Sequence, residues 1–226
     1  MLPTSTVENY LKAIYAAQSR LSGDRELVAM GQLSAALGVV PGTATSMVKT
    51  LADAGLVSYE PYAGVRLTAS GEKLAAAVLR RHRLIELFLV QVMGMSWDEV
   101  HDEAEQLEHA ASDRLIDRID EMLGRPAVDP HGDPIPDTEG YIHTPDHHTL
   151  LTCPVGAPLV VTRVVDQDGA FLRFIEQSGL KPGQPVTVLE RDAAADRVVV
   201  QAGDGSSVAL GQRAASKLMV ELEERG

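Results

Sequence analysis

Hydrophobic residues in the first half of the chain recur at intervals of three and four, the spacing of helices with one buried face. Residues 6–22 place Val7, Tyr10, Leu11, Ile14 and Tyr15 on one side, with Thr6 and Asn9 as candidate caps. A short helix is predicted near 30–37 and another from about 43 to 54, with a turn over Gly38–Gly42. Leu33, Ala36 and Leu37, then Met47, Val48 and Leu51, are the apolar sets of a helix–turn–helix. Gly55 supplies its C-terminal stop. LVSYEPYAGVRLT then reads as two short strands around Pro61–Gly64, the wing of a winged helix. Ser70, Glu72 and Lys73 open a long helix to about residue 92. Gly94 breaks it, Ser96 starts another to about residue 110, and SDRLIDRIDEMLG predicts one more, with Leu115, Ile116, Ile119 and Leu123 on one side.

The pattern changes after residue 124. Seven prolines and several glycines fall between 124 and 158, which reads as a linker. From Pro158 the apolar positions alternate in LVVTRVV, PVTVLER, RVVVQA and SVALG, short strands of a small β-barrel, with a helical turn or two in LRFIEQSGLKPG. The expected fold is mainly α with a C-terminal β-barrel. Residues 1–73 form a winged helix–turn–helix, 74–140 a helical domain, 141–154 a Pro/Gly/His linker and 155–226 the barrel.

Composition narrows the function. No apolar run approaches the roughly 18 residues of a membrane span, and the first residues, MLPTSTVENYLK, lack the basic and apolar regions of a signal peptide. A cytoplasmic protein without a membrane partner is expected. The single Cys153 excludes a disulfide framework and a multi-cysteine zinc site. Net charge is −12, unfavourable for nucleic acid, but residues 1–83 hold nine Lys or Arg against six Asp or Glu. A basic head of +3 on a body of −15 fits a chain that meets DNA with one end. GxSxG, P-loop and HExxH motifs are absent, so neither an enzyme nor a small organic substrate is expected.

Two groups of residues carry candidate chemistry. The early turns of the second helix–turn–helix element offer Thr43, Thr45, Ser46 and Lys49 to a DNA major groove. Arg66 in the wing and Arg80–Arg81 are candidates for phosphate. His82 and Glu86 stand four apart on one predicted helix, and His101, Glu105, Glu108 and His109 form a stripe on the next. On neighbouring antiparallel helices the two sets converge, as in metal-binding bundles, and imidazole with carboxylate suits a first-row divalent ion. The plainer readings are ordinary surface histidines and a solvated acidic face, or an ion-pair network with Arg114 and Arg118. His143, His147 and His148 in YIHTPDHH form a further histidine group in the linker. The apolar side of 84–95 and 113–123, with Leu87, Phe88, Val92, Leu115 and Ile119, is a candidate dimer interface or simply intradomain core.

The strings TVENYLKAIY, AGLVSYEPYAGVRLTASG, RRHRLIELFL, VHDEAEQLEH and DPHGDPIP, in this order with the helix–turn–helix, resemble the diphtheria-toxin-repressor and manganese-transport-regulator family of metal-dependent repressors. The resemblance spans about residues 4–140 strongly, and about 155–223 more loosely resemble the family's SH3-like domain. It implies a homodimer that binds a palindromic double-stranded DNA operator when metal-loaded and controls metal-homeostasis genes. It also implies two metal sites per subunit: Glu105, Glu108 and His109 with Asn9 as the primary site, and His82, Glu86 and His101 as the ancillary one. The iron-sensing branch has cysteine at the position of Glu105 and the manganese branch glutamate, so the resemblance implies Mn²⁺, with Fe²⁺ as the alternative. Asn9 stands where the family has methionine or aspartate, and Lys12 where close manganese sensors carry glutamate, so a paired-ion site of that type is not expected. The iron branch draws extra ligands from its barrel, for which Asp166 and Asp168 are the candidates here. Two other functions fit the motifs less well: a winged-helix regulator without a metal gate, and a metal-delivery protein without DNA affinity.

Overall fold

The computed structural model describes residues 4–19, 27–142 and 148–223. Among these residues, one compact unit comprises 4–19 and 27–81 with 136–142, the other 82–135 with 148–223.

The first unit is the winged helix. Helix α1 (Ser5–Gln18) is capped by the Thr4 hydroxyl, which accepts from Val7 N at 3.4 Å. The cap therefore precedes the expected Thr6, and the helix ends earlier than the predicted residue 22. Helix α2 (Met30–Ala36) and helix α3 (Pro41–Asp53) follow. α3 starts two residues before the predicted 43, because Pro41 at its first position has its φ preset for a helix and needs no donor there. Gly55 follows α3 at φ +73°, the left-handed stop that the sequence anticipated. Strands β1 (Val57–Glu60) and β2 (Gly64–Leu67) pair antiparallel to make the wing. Leu11, Ile14, Leu33, Val48, Leu51 and Val65 form the core, each buried side chain contributing about 2 kcal/mol. Helix α4 (Ala69–Gln91) gives its first turns to this unit and its later turns to the second.

In the second unit, the later turns of α4 pack with α5 (Val100–Leu107) and α6 (Asp113–Met122) around Leu84, Ile85, Leu89, Val100, Ile116 and Ile135. Residues 129–135, within the stretch read as a linker, are packed into the second unit. Asp129, His131, Asp133 and Ile135 are buried. Asp129 Oδ1 accepts from His131 N at 2.8 Å and Asp133 N at 2.9 Å, and Ile135 N donates to Ala127 O at 2.8 Å. Proline stiffens a packed loop as readily as a linker, so composition could not separate the two.

The strands are β3 (His148–Thr149), β4 (Leu159–Val164), β5 (Pro185–Asp192), β6 (Arg197–Ala202), β7 (Ser207–Leu210) and β8 (Leu218–Leu222). They form one antiparallel sheet in the order β3-β8-β4-β5-β6-β7. The expected barrel is not closed: among the described residues β3 and β7 remain edges, and β3 is two residues long. β8 was not anticipated. Helix α7 (Gly169–Gln177) lays Leu172 and Ile175 on the sheet core, and the short helix α8 (Gln212–Ala215) adds Ala215.

Cys153 lies in that core, where burial pushes its thiol up more than the neighbouring Arg191 lowers it. The native protein should leave Cys153 unreacted with a disulfide reagent at about pH 8, near the ordinary thiol pKa, and release one equivalent after unfolding. Fast native labelling would contradict this packing.

Candidate metal centre

Helices α4 and α5 present His82 with Glu86, and His101 with Glu105, as pairs one turn apart. Glu108 caps the end of α5 and His109 lies beyond it, since the helix stops short of the predicted residue 110. His82 is the hub. Its Nδ1 is 2.6 Å from Glu108 Oε2, and its Nε2 is 2.9 Å from Glu86 Oε1 and 3.2 Å from His101 Nδ1. His101 Nδ1 is also 3.2 Å from Glu86 Oε1, and its Nε2 is 3.8 Å from Glu105 Oε1. His109 Nε2 lies 3.5 Å from Glu108 Oε1.

Among the described residues three ligand groups result, His82–Glu86–His101, His82–Glu105–Glu108 and Glu86–Asp129–His131, the donor atoms of each within 4.8 Å of one another. His82 belongs to the first two, whereas the resemblance assigned it to one.

Glu86 and Glu108 are fully buried and His82 nearly so. Buried carboxylates are costly unless positive charge or hydrogen bonds compensate them. Burial pushes the Glu86 carboxyl up, but hydrogen bonds with His101 and His82, and the imidazole of His131 nearby, outweigh it and hold the carboxyl well below its usual range. Asp129 goes the other way: burial, then the charges of Asp133 and Glu86, push it up to about 8 against His131 and Arg83. Burial lowers the pKa of His131, but Glu86 and Asp129 outweigh it and raise the value.

The donor set is imidazole nitrogen and carboxylate oxygen without sulfur, and Glu86 Oε2 is buried with no hydrogen-bond partner. These residues fit a divalent first-row cation.

The remaining candidates are on other elements. Asn9 is on α1 in the first unit, with Oδ1 buried and unpartnered. Asp166 pairs with the Lys217 ammonium, and Asp168 caps α7 through Phe171 N at 2.9 Å, so neither joins the ligand groups. Their local roles, an ion pair and a helix cap, use the same carboxylates that suggested ligation. Of the YIHTPDHH group, His143 and His147 fall outside the described residues, and His148 is exposed on β3. Sequence reading missed Asp129 and His131 as site residues; their signal was an imidazole and carboxylates inside DPHGDPIP, masked by the prolines.

On the DNA-facing candidates, Thr43, Ser46 and Lys49 are exposed on α3. Thr45 is half-buried and its hydroxyl donates to Pro41 O at 2.9 Å. Arg66 is half-buried on β2. Arg80 bonds Pro136 O at 2.9 Å and Arg81 pairs with Glu8 at 2.5 Å, so both are engaged within the first unit instead of standing free for phosphate. Tyr62, unremarked in the sequence, is fully exposed at the wing tip with φ +67°.

Of the dimer candidates, Leu87 and Ile119 are buried in the core of their own chain and Phe88 packs against it. Val92 and Leu115 remain exposed, as do Met93, Leu107 and Met122.

A winged helix–turn–helix joined in one chain to a buried histidine–carboxylate cluster defines a metal-responsive DNA-binding protein, and comparison with known proteins agrees. Residues 2–65 match the iron dependent repressor N-terminal DNA binding domain, 68–137 the iron dependent repressor metal binding and dimerisation domain, and 148–222 the FeoA domain, which is SH3-like. The iron-dependent repressor IdeR of Mycobacterium leprae (strain TN) is 30% identical over 88% of this chain and 89% of its own. The HTH-type transcriptional regulator MntR of Lysinibacillus sphaericus (strain C3-41) is 33% identical over 54% of this chain and 84% of its own. A solved manganese-dependent transcriptional repressor in complex with manganese is 42% identical, with a TM-score of 0.86 over 96% of this chain and all of the other. The chain belongs to the iron-dependent repressor family, whose members are metal-dependent transcriptional repressors of the manganese and iron types and not enzymes. Among the described residues no helix is long and apolar enough to cross a membrane.

Proposed function

We propose that this chain is a manganese-responsive repressor, with Fe²⁺ as the alternative ion, that binds a palindromic operator in the cytoplasm as a homodimer and controls metal-homeostasis genes. The observation that carries this reading is the burial of Glu86 and Glu108 on either side of His82. The proposed ligands are Glu105, Glu108 and His109 with Asn9 for one ion, and His82, Glu86 and His101 for a second. Glu105 in place of sulfur supports the harder ion. A bound cation supplies the positive charge that these carboxylates lack.

The residues of the chain do the rest. Thr43, Thr45, Ser46 and Lys49 on α3, with Arg66 in the wing, are the proposed DNA contacts. Val92 and Leu115, with the exposed Met93, Leu107 and Met122, are the proposed dimer surface. Two-fold pairing would match two recognition helices to half-sites about one helical turn apart. Metal and operator, each favouring the same conformation, strengthen each other's binding by the same factor.

Fluorescence anisotropy on DNA upstream of the protein's own gene, in chelator and then in Mn²⁺ or anaerobic Fe²⁺, tests the reading. Tight binding only with metal is expected; equal binding in chelator contradicts it. Lys49→Ala should weaken binding to all duplexes alike and lower the slope of log affinity against log salt by about 1. Leu115→Glu should give a monomer by analytical ultracentrifugation and lose operator binding; a dimer of undiminished strength would place the interface elsewhere.

A further inference from the structure

Tyr62, at the tip of the wing, combines two features that both work against stability. Its φ is +67°, in the left-handed region that bulky residues avoid. Its side chain is 107% exposed, as open as in a free peptide, so no burial offsets that strain.

The turn explains the backbone but not the tyrosine. Ala63 N donates to Glu60 O at 3.1 Å and closes a four-residue turn. Pro61 in the second position fixes φ at about −65°, and Tyr62 in the third is positive, the signature of a type II turn. That third position suits glycine or asparagine, which a large ring is not.

The support behind the tip is stiff. Val28 N donates to Val65 O at 2.8 Å, and Val65 N to Val28 O at 3.0 Å. Strand β2 is therefore held on both edges, by β1 and by Val28. Gly64 sits so close to Val28 that a Cβ would meet its carbonyl oxygen at 2.5 Å. An aromatic ring on such a base is presented to a partner with little left to order on binding.

We propose that Tyr62 is a DNA contact: its ring packs on a deoxyribose, and its hydroxyl donates to a phosphate oxygen of the duplex that α3 reads. The proposal rests on the DNA-binding reading above and adds to it a residue that holds the wing in register.

Three observations point to DNA as the partner. The tip is continuous with the reading head: β1 begins at Val57, soon after α3 ends at Asp53, and residues 2–65, Tyr62 included, match the DNA binding domain. Ser58 and Arg66 stand directly opposite each other on the hairpin, so the proposed Arg66 contact and the tip belong to one short element. The chemistry fits as well. Tyrosine hydroxyls are among the groups that hold DNA phosphates and so fix a protein's register, and a tyrosine covers area with only two rotatable bonds to order. The tip from Glu60 to Gly64 holds no cation and one carboxylate, so its grip comes from the ring and hydroxyl and not from charge.

The test uses a duplex that the full chain enriches from a random pool with Mn²⁺. A benzophenone side chain in place of Tyr62 should crosslink to that duplex on irradiation with Mn²⁺. By anisotropy, Tyr62→Gly should weaken binding about tenfold, the scale of an aromatic anchor lost from an interface. Tyr62→Phe, which loses the hydroxyl alone, should weaken it roughly threefold. Neither should change the slope of log affinity against log salt, because no cation is lost. Tyr62→Gly should also melt no lower than wild type, which separates lost contact from lost fold; a lower Tm would overturn the claim that the ring stands there at a cost to stability. Unchanged affinity in Tyr62→Gly, no adduct, or an adduct to a second protein chain in place of DNA would overturn the contact and leave the proposed function standing. If Mn²⁺ enriches no duplex, both fail.

Discussion

Glu108→Gln should abolish metal-dependent operator binding while leaving the metal-free fold at least as stable as wild type. The Glu108 side chain is fully buried, 2.6 Å from His82 Nδ1 and 3.5 Å from His109 Nε2. Glutamine keeps the shape and one polar contact to His82 but removes the charge. Changing residues that merely orient ligands typically costs 10- to 100-fold in metal affinity, so loss of a ligand carboxylate should cost at least about 100-fold. In metal-free protein the same change removes a buried charge whose carboxylate lies within 4.8 Å of that of Glu105, and so relieves desolvation and repulsion. Thermal unfolding separates the two effects. At Mn²⁺ a hundredfold above its Kd the wild type should gain about 2.7 kcal/mol, and the variant almost nothing at the same concentration. An equal gain in both would remove Glu108 from the metal site.

The second large effect is on stability. Gly132 has φ +82°, and a Cβ there would lie 1.9 Å from Thr162 O and 2.8 Å from Arg163 Cα. Both neighbours are backbone of β4 and cannot swing aside. This contact holds the 129–135 loop to the sheet, together with Val164 N on His131 O at 2.8 Å and the Arg163–Asp133 pair. Gly132→Ala should therefore cost at least about 3 kcal/mol, from strain and overpacking together. For a chain of this size that lowers Tm by roughly 6–12 °C. Gly156→Ala is the control: φ is +76°, but nothing lies within 4 Å of the added carbon. It should cost only about 1 kcal/mol of backbone strain. Equal shifts in the two variants would mean that the loop is not packed on β4 as described.

Much of this architecture could be read from periodicity alone. The helix–turn–helix and wing were legible because apolar spacing, Gly55 and the Val-rich hairpin agree with one another. His82, Glu86, His101 and Glu105 were legible as ligand candidates because helical geometry puts residues four apart on one side. What periodicity could not give was contact between elements. The placement of His82 between Glu86 and Glu108 depends on how α4 and α5 pack, which no single-helix pattern encodes. The 129–135 loop was misread because proline and glycine are equally frequent in free linkers and in stiff buried turns. The sheet was expected to close because alternation shows which strands have an inner face, but not whether the edge strands meet. Asp166 and Asp168 show that a carboxylate offered as a ligand also has local uses, here an ion pair and a helix cap.

The most direct test of the metal gate is selection of duplexes from a random pool by the purified full chain, run in parallel with Mn²⁺ and with chelator. The account predicts enrichment only with Mn²⁺, of a sequence with two inverted half-sites about one helical turn apart, and none with Glu108→Gln. The same sequence enriched equally in chelator would contradict it, and would leave a winged-helix regulator whose buried histidines and carboxylates do not control its grip on DNA.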